Sequence, residues 1–245
     1  MKLLSYIGTA SWNVPAIHGS LFPGGGSHLE RYARQLNAVE INSSFYRSHR
    51  RTTYERWARS VSDGFRFAIK VPKTITHERR FNDCGNLLDR FAHETAGLGG
   101  KLGILLVQLP PSFVFNKTVV ARFFEALQHR STAAIVCEPR HPSWFTPEAD
   151  ALLEGLRVAR VASDPATASG AGEPSGSKET VYYRLHGSPH IYHSSYDADA
   201  LAVLMQALRA HRMRGAITSC IFDNTASYAA SENALTLADR ERGLP

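Results

Sequence analysis

Short apolar runs alternate with amphipathic stretches along most of the chain, and this alternation predicts β-strands that are each followed by a helix. The run LGILLVQL at 102–109 is apolar almost throughout, which is typical of a parallel strand covered on both faces. The stretch KTVVARFFEALQH at 117–129 instead has a helical period, because Val119, Phe123 and Leu127 fall on one stripe.

Roughly eight such strand-then-helix units fit into the 245 residues, which is the size typical of a (β/α)8 barrel. Two residues mark predicted helix ends. Pro147 suits the first turn of the fifth helix, and Gly215 suits the end of the seventh helix before the last strand. The sequence therefore predicts a TIM-like (β/α)8 barrel that forms a single domain over residues 1–245.

One unit departs from this pattern. Residues 163–180, SDPATASGAGEPSGSKET, are rich in Gly, Ser, Pro and Ala, so we expect a flexible loop that replaces or shortens the sixth helix. A domain linker is the alternative at this position. A doubly wound open sheet is the rival architecture, although no GxGxxG motif follows the first strand, as its dinucleotide-binding version requires.

The composition is that of an ordinary globular protein, with 43% apolar and 20% charged residues. The formal net charge of +6 and the isoelectric point near 9.4 favour an anionic partner such as a phosphate ester or a nucleic acid. A basic surface that serves only solubility explains the same charge, since no Lys/Arg-rich run is present.

The cysteines and the N-terminal segment bear on the compartment. Cys84, Cys137 and Cys220 are widely spaced and form no CxxC pair, so neither a zinc ribbon nor a disulfide framework is predicted. The segment MKLLSYIGTASW at 1–12 has too short an apolar stretch for a signal peptide, and no run approaches a membrane-spanning length. We therefore expect a cytoplasmic protein without a membrane partner.

Polar side chains recur where the predicted strands end, which in a barrel of this kind is the catalytic mouth. Side chains alternate along a strand, so Tyr182, Arg184 and His186 in the segment YYRLHG share one face. Isolated charges in an apolar core are costly. We therefore expect Arg184 and His186 to pair with Glu40 and Glu138 inside a polar funnel.

The strand-end residues supply candidates for acid–base chemistry and for ligand binding. Glutamates offer a general base or an orienting carboxylate, and histidines transfer protons near neutral pH. Arginines bind oxyanions in fork geometry, a lysine acts as a point charge, and aromatic side chains can stack on a ring. The candidate catalytic residues are Glu40, Glu138, His141 and His186. The candidate substrate-binding residues are Trp12, Asn42, Tyr46, Lys70, His77, Gln108, Arg140, Trp144, Asp164, Arg184 and Asn224.

Each of these residues also has a purely structural interpretation. A charged residue at a strand end is commonly solvated or salt-bridged, His141 before Pro142 can shape a turn, and Asn224 can cap the last helix. Trp12 and Trp144 can be packing residues rather than stacking platforms. The functional interpretation rests on several strands that end in ionisable residues in the same phase.

Motifs spread over nearly the whole chain connect it to a known family. They are IGTASW near the start, VEINSSFYR at 39–47, FRFAIKVPKTITH at 65–77, LGILLVQLPPSF at 102–113, CEPRHPSW at 137–144, YYRLHG at 182–187 and FDNTASYAASENA at 222–234. Through these motifs the chain resembles the YecE-like proteins, a family known as domain of unknown function 72. The resemblance implies a TIM-barrel-like fold and carries no established activity. The chain departs from the family pattern at Ser44, where a threonine is usual, and at Asp223, where an asparagine is usual.

Together these features favour an enzyme of the hydrolase or phosphoesterase type that acts on an anionic substrate, phosphate-bearing or acidic sugar-like, at the mouth of the barrel. A divalent metal is the less favoured variant. The side chains of Glu40, Glu138, His141, Asp164 and His186 are suitable ligand types, but no HxH or HExxH pair is present and the neighbouring cationic side chains would repel a metal ion. A cofactor and an oligomeric state are not predicted.

The alternative function is non-catalytic binding of nucleic acid on a basic surface. It predicts a basic stripe beyond the mouth that includes Arg47, Arg50, Arg51, Arg79 and Arg80. A barrel that retains a polar mouth without present activity is a further possibility that the sequence leaves open.

Overall fold

A parallel sheet forms the centre of the protein, whose structure is a computed structural model that describes residues 5–14 and 16–243. Each strand pairs in parallel with its neighbours, except for a two-residue strand that joins the edge in antiparallel orientation. The strands are β1 (Tyr6–Thr9), β2 (Ala38–Ile41), β3 (Arg66–Lys70), β4 (Leu102–Gln108), β5 (Ala134–Glu138), β6 (Ala159–Arg160), β7 (Ala162–Asp164), β8 (Ser175–Gly176), β9 (Thr180–Leu185) and β10 (Ile217–Phe222).

The strand order closes the sheet into a barrel. The order is β7-β9-β10-β1-β2-β3-β4-β5-β6-β8, and β6 and β7 are separated only by Val161, so they are two parts of one interrupted strand. Its first part pairs with β5 and its second part pairs with β9, which joins the two ends of the sheet. The predicted TIM-like (β/α)8 barrel is confirmed.

Helices cover the outside of the barrel. They are α1 (His28–Ala33), α2 (Ser43–Tyr46), α3 (Arg51–Arg59), α4 (Gly85–Thr95), α5 (Lys117–Gln128), α6 (Pro147–Gly155), α7 (Ala198–Met213) and α8 (Ala229–Arg242). The connection from β7 to β9, residues 165–179, contains β8 and no helix. The predicted replacement of the sixth helix is therefore present.

The ends of two helices follow from their sequence. The Thr146 side chain accepts a hydrogen bond from the backbone N–H of Ala149, and Pro147 occupies the first turn of α6 as predicted. Gly215, which follows α7, has a φ of +89°, a conformation that costs glycine little.

The buried side of α5 differs in detail from the predicted stripe. Val120, Phe123, Phe124 and Leu127 are buried, whereas Val119 is only half-buried. Phe81, from the segment between β3 and α4, explains the rotation. Its ring stacks on Phe123 at 3.7 Å between centroids and also contacts Phe124, so the helix turns both phenylalanines toward this packing partner.

Three levels follow one another inside the barrel, and β5 shows them in sequence. Ala134 lines a cavity of about 700 Å³ at the amino-terminal end of the strands. Val136 belongs to a buried apolar cluster in the middle, together with Leu106 and Tyr182. Glu138 is the last residue of the strand and is buried at the carboxyl-terminal end. On β5 the ionisable side chain thus lies at the carboxyl-terminal end.

No helix in residues 5–14 and 16–243 is long and apolar enough to cross a membrane. Residues 1–4 of the N-terminal stretch discussed above lie outside the described residues. The three cysteines are free and buried, and for Cys137 and Cys220 their positions in apolar runs predict this.

Candidate functional site

The centre of the candidate site is built from five residues at the carboxyl ends of four strands. Glu40 lies within β2, Glu138 ends β5, and Arg184 lies within β9. His186 and Asp223 follow β9 and β10 directly. Their backbone N–H groups extend the hydrogen bonding between strands, because His186 donates to Asp164 O and Asp223 donates to Leu185 O, both at 2.7 Å. These five acidic and basic side chains are all buried, so their charges must be balanced inside the protein.

Arg184 is at the centre of this network and is only 1% exposed. Its Nε and Nη2 donate to both carboxylate oxygens of Glu40 at 2.8–3.1 Å. Its Nη1 donates to Glu138 Oε2 at 3.1 Å, and Nη2 lies 2.9 Å from Asp223 Oδ2. Tyr182 Oη donates to Glu40 Oε2 at 2.8 Å. The expected pairing of Arg184 with both glutamates is present.

His186 connects two carboxylates. Its Nδ1 lies 3.1 Å from Asp223 Oδ2 and its Nε2 lies 3.1 Å from Glu138 Oε1. Carboxylates accept hydrogen bonds, so both ring nitrogens donate when the imidazole is protonated. Burial by itself would lower the pKa of His186, but these two hydrogen bonds raise it above its usual value. The imidazolium form is therefore favoured.

The two carboxylates around His186 are held in their charged form. Burial alone would raise the pKa of Glu138, but Arg184 and the hydrogen bond from His186 hold it far below its usual value. The pKa of Asp223 is lowered against the effect of burial by Arg184 and His186 as well. The cations of the network thus keep these carboxylates ionised at neutral pH.

Lys70, the last residue of β3, lies beside this network and is 8% exposed. Its Nζ lies 4.3 Å from the centroid of the Phe45 ring, a cation–π contact. Ser44 fixes this neighbour in place, because its Oγ lies 2.8 Å from Ile41 O and 2.7 Å from Lys70 O. Burial lowers the pKa of Lys70 to about 8, and the positive charge of Arg184 acts in the same direction.

Arg140 and His77 face the same space as Lys70. Arg140 Nη2 donates to Glu138 Oε1 at 3.2 Å, while its buried Nε has no hydrogen-bond partner in the described residues. His77, in a π-helical turn after β3, contacts Thr76 Oγ1 through Nδ1 at 2.8 Å. Burial lowers the pKa of His77, and the positive charges of Lys70 and Arg140 lower it further, so the neutral ring is favoured.

Four further predicted residues lie on the strand-end segments of the same barrel end. Gln108 ends β4 and is buried, and Asn42 precedes α2 with a buried Oδ1 that has no partner within the described ranges. Tyr46 is 72% exposed. Trp12 is half-buried against Trp57, with 4.9 Å between ring centroids.

Two other predicted residues, Trp144 and Asn224, make hydrogen bonds within the protein. Trp144 is fully buried and its Nε1 donates to Phe113 O at 2.8 Å, so it packs the outer core and cannot stack on a ligand. Asn224 is also fully buried and donates to Ser194 O and Asn233 Oδ1, each at 2.9 Å. These contacts give Trp144 a packing role and Asn224 a loop-anchoring role, while the Asn224 Oδ1 has no partner among the described residues.

Asp164 and His141 also make local contacts. Asp164 Oδ2 accepts a hydrogen bond of 2.6 Å from Tyr196 Oη, which ties β7 to the loop after β9. His141 Nδ1 accepts from the backbone N–H of Ser143 at 3.2 Å, the turn-shaping role that the sequence left open. Arg184, predicted as an oxyanion clamp, has its nitrogens directed at carboxylates instead, whereas Arg140 and Lys70 are less engaged with carboxylates in the described residues.

The predicted site omitted three residues that the structure includes. Asp223, which stands where the family pattern has an asparagine, contacts both Arg184 and His186. Tyr182 was recognised as sharing their face, and its hydroxyl reaches Glu40. Phe45 lies in the quoted VEINSSFYR motif, but no sequence pattern indicates that its ring would cover Lys70.

Metal binding receives no positive indication from the geometry. In the part of the chain that the structure describes, no group of three His, Cys, Asp or Glu side chains is arranged to hold a metal ion. The Arg184 guanidinium occupies the space between Glu40, Glu138 and Asp223, where a cation would otherwise bind carboxylates.

The fold and the site define a class of protein, a (β/α)8 barrel with a buried ion-pair network at its carboxyl-terminal mouth. Within this class, the chain belongs to the family described as "Protein of unknown function DUF72", whose sequence profile matches residues 6–243. This confirms the resemblance drawn from the motifs.

Curated relatives carry the same kind of description. UPF0759 protein YecE of Escherichia coli strain K12 is 30% identical over 141 residues, which are 57% of this chain and 50% of that protein. UPF0759 protein YunF of Bacillus subtilis strain 168 is 26% identical over 151 residues, 58% of this chain and 52% of that protein. The chain spans about half the length of the curated relatives that it matches.

Solved structures support the fold. The DUF72 family protein EF0366 of Enterococcus faecalis V583 superposes with a TM-score of 0.82 at 21% identity, covering 99% of this chain and 96% of that chain. The DUF72 family protein TM1631 of Thermotoga maritima MSB8 superposes with a TM-score of 0.78 at 20% identity, covering 98% and 99%. At these identities the likeness establishes the barrel and leaves the chemistry to the site.

Proposed function

We propose that this chain is an enzyme that applies acid–base chemistry to an anionic substrate, phosphate-bearing or acidic sugar-like, in a hydrolysis of the phosphoesterase type. The observation that carries the proposal is the sequence of contacts Arg140–Glu138–His186–Asp223. It joins a cation at the mouth to a buried histidine whose ring lies between two carboxylates. A cationic seat next to a proton relay is what cleavage of an anionic ester needs.

The roles proposed for individual residues follow from the hydrogen-bond donors that remain available. The Arg140 Nε, which has no partner among the described residues, and the Lys70 Nζ would bind substrate oxyanions, because both lie beside the network and its carboxylates do not saturate them. An anion on Arg140 would draw its guanidinium away from Glu138, which raises the proton affinity of that carboxylate. His186 could then supply a proton through Glu138 Oε1 to the leaving oxygen.

Turnover of chromogenic esters tests the proposal. We expect cleavage of p-nitrophenyl phosphate or p-nitrophenyl glucuronide, and a loss of about 10²-fold or more in kcat/KM in Glu138→Gln, the magnitude of a typical acid–base contribution. Arg140→Met should raise KM. Arg122→Met, which removes an exposed arginine from α5, is the control for net charge.

Binding of inorganic phosphate, measured by titration calorimetry, separates a missing activity from a missing site. Binding of phosphate to wild type and to Arg122→Met, but not to Arg140→Met, supports an anion-binding site at Arg140. Absence of turnover together with equal phosphate binding in wild type and Arg140→Met would overturn the proposal.

A second candidate is binding of single-stranded nucleic acid. The exposure of Arg47, Arg79 and Arg80, which follow β2 and β3 at the mouth end, favours it, as does the exposed Tyr46 beside them. Fluorescence anisotropy with mixed oligonucleotides over a salt series would show a steep loss of affinity with salt. Arg47→Ala with Arg79→Ala should then reduce binding more than Arg140→Met does, and the reverse order would assign the affinity to the enzyme site.

We also propose a cytoplasmic location. Three cysteines that are free and buried are compatible with a reducing compartment. Fractionation of cells that express the chain, with detection by antibody, checks it.

A further inference from the structure

Lys70 differs in its surroundings from an ordinary salt-bridged lysine. Its Nζ lies over the Phe45 ring at 4.3 Å, and none of the described carboxylates forms an ion pair with it, although three lie in the adjacent network. Those three are bound to Arg184. An ammonium group that has lost most of its water without gaining a direct carboxylate partner is destabilised relative to the neutral amine.

We propose that Lys70 is a nucleophile that forms an imine with the carbonyl carbon of an anionic aldehyde or ketone, whose anionic group is held by Arg140. The inference rests on the proposed function, because it concerns the same anionic substrate. It narrows that substrate to one with a carbonyl group, such as an open-chain sugar phosphate or a sugar acid. Lys70 would then act as a covalent catalyst rather than as a point charge.

Burial and the charge of Arg184 increase the neutral-amine fraction of Lys70. Burial lowers its pKa to about 8, Arg184 lowers it as well, and Glu40, Glu138 and Asp223 act in the opposite direction. His77 lies in the same space, because the positive charges of Lys70 and Arg140 both lower its pKa. Because the usual lysine value is 10.5, this lowering gives on the order of 10²-fold more neutral amine at neutral pH.

The proposed step balances without an oxidant or reductant. The lone pair of the neutral Nζ attacks the carbonyl carbon, and the carbonyl oxygen takes up a proton to give a carbinolamine. The carbinolamine then loses its hydroxyl group as water and Nζ loses its remaining proton, so that amine and carbonyl compound give imine and water. His77, which packs on the same Phe45 ring at 5.0 Å between centroids and favours the neutral form, can receive the proton that Nζ releases.

Reductive trapping on the full-length wild-type chain tests the proposal. The probe is glyoxylate with sodium cyanoborohydride near neutral pH, followed by peptide mass mapping. Hydride transfer to the imine carbon leaves a stable secondary amine on the modified lysine. Lys73 is the matched internal control, since it lies three residues away but is exposed and ion-paired with Glu78 at 3.5 Å.

We expect Lys70 to be labelled on the order of 10-fold or more faster than Lys73, and labelling at this position to be absent in Lys70→Arg, which retains the charge. Equal or faster labelling of Lys73 would overturn the proposal. Propanal, a neutral aldehyde, provides the comparison for Arg140. Arg140→Met should slow the labelling by glyoxylate several-fold relative to that by propanal, and an unchanged ratio would remove the role given to Arg140.

Phosphate binding separates this inference from the proposed function. If phosphate binding depends on Arg140 but Lys70 is not labelled preferentially, the proposed enzyme for an anionic substrate is retained and imine formation at Lys70 is overturned. Preferential labelling of Lys70 without phosphate binding supports the nucleophilic role of Lys70 and contradicts the anion-binding site at Arg140.

Discussion

Arg184 illustrates at the scale of one residue how a buried cation differs from a ligand-binding cation. Its guanidinium faces Glu40, Glu138 and Asp223, and its pKa is raised well above the usual value by these carboxylates against the opposing effect of burial. Its hydrogen bonds connect β9 to β5 and β2 across the mouth. We infer that its contribution to function is the placement of Glu138 and His186.

Replacement of Arg184 should therefore mainly lower the free energy of unfolding. Arg184→Met leaves three buried carboxylates without their common partner, which we expect to cost about 3–5 kcal/mol in the free energy of unfolding. Urea denaturation followed by circular dichroism measures the loss, with the exposed Arg122→Met as the control. A change of less than about 1 kcal/mol, the level of a surface pair, would contradict the structural role.

The protonation of His186 gives a prediction about pH. Its folded-state pKa is raised above the usual 6.5, so the stability that it contributes is fully present below that value and is lost as the pH rises through the raised one. We expect the stability difference between wild type and His186→Gln to shrink over this window. Urea midpoints over a pH series check the sign, and a difference that grows toward alkaline pH would show that His186 is buried in its neutral form.

At the scale of elements, the turn after β9 fixes the position of His186. Gly187 has a φ of +92°, and a Cβ built on it would lie 2.9 Å from Ser194 O and 3.1 Å from Asn224 Cβ. The segment therefore needs glycine both for its backbone conformation and for the close approach of the next loop. This explains why a glycine directly follows the histidine in the YYRLHG motif.

The two reasons can be separated with a matched pair of variants. Gly215 has a similar φ of +89°, but no atom lies within 4 Å of a Cβ built there. Gly215→Ala should cost about 1 kcal/mol from backbone strain alone. Gly187→Ala should cost at least about 1 kcal/mol more and also reduce phosphate binding, because the neighbouring loop must shift. Equal unfolding free energies for the two variants would show that the close approach relaxes without cost.

The elements of this barrel could be predicted from sequence because their signals are local. Apolar runs mark the strands, Pro147 and Gly215 mark helix ends, and residues 163–180 lack a helical period. The rotated face of α5 could not be predicted in this way. It depends on Phe81, which lies far away in sequence and reaches the helix only in the folded chain.

At the scale of the whole molecule, strand phase predicted which side chains converge, but not which of them remain available to a ligand. The alternation in YYRLHG correctly paired Arg184 and His186 with the two glutamates. The availability of a cation depends on how many carboxylates surround it. Asp223 changes that number for Arg184, and the pairing of β9 with β10 brings it there.

The barrel also separates stability from function along its axis, and β5 allows this to be tested on one strand. Ala134→Leu extends into the cavity of about 700 Å³, so it should change the unfolding free energy by less than about 1 kcal/mol. Val136→Phe overfills the fully buried apolar level and should cost about 1–3 kcal/mol. Glu138→Gln should alter phosphate binding, which Ala134→Leu leaves unchanged because the apolar level separates the cavity from the mouth. Calorimetric titration of the variants with phosphate measures this, and weaker binding in Ala134→Leu would mean that the two ends of the barrel are coupled.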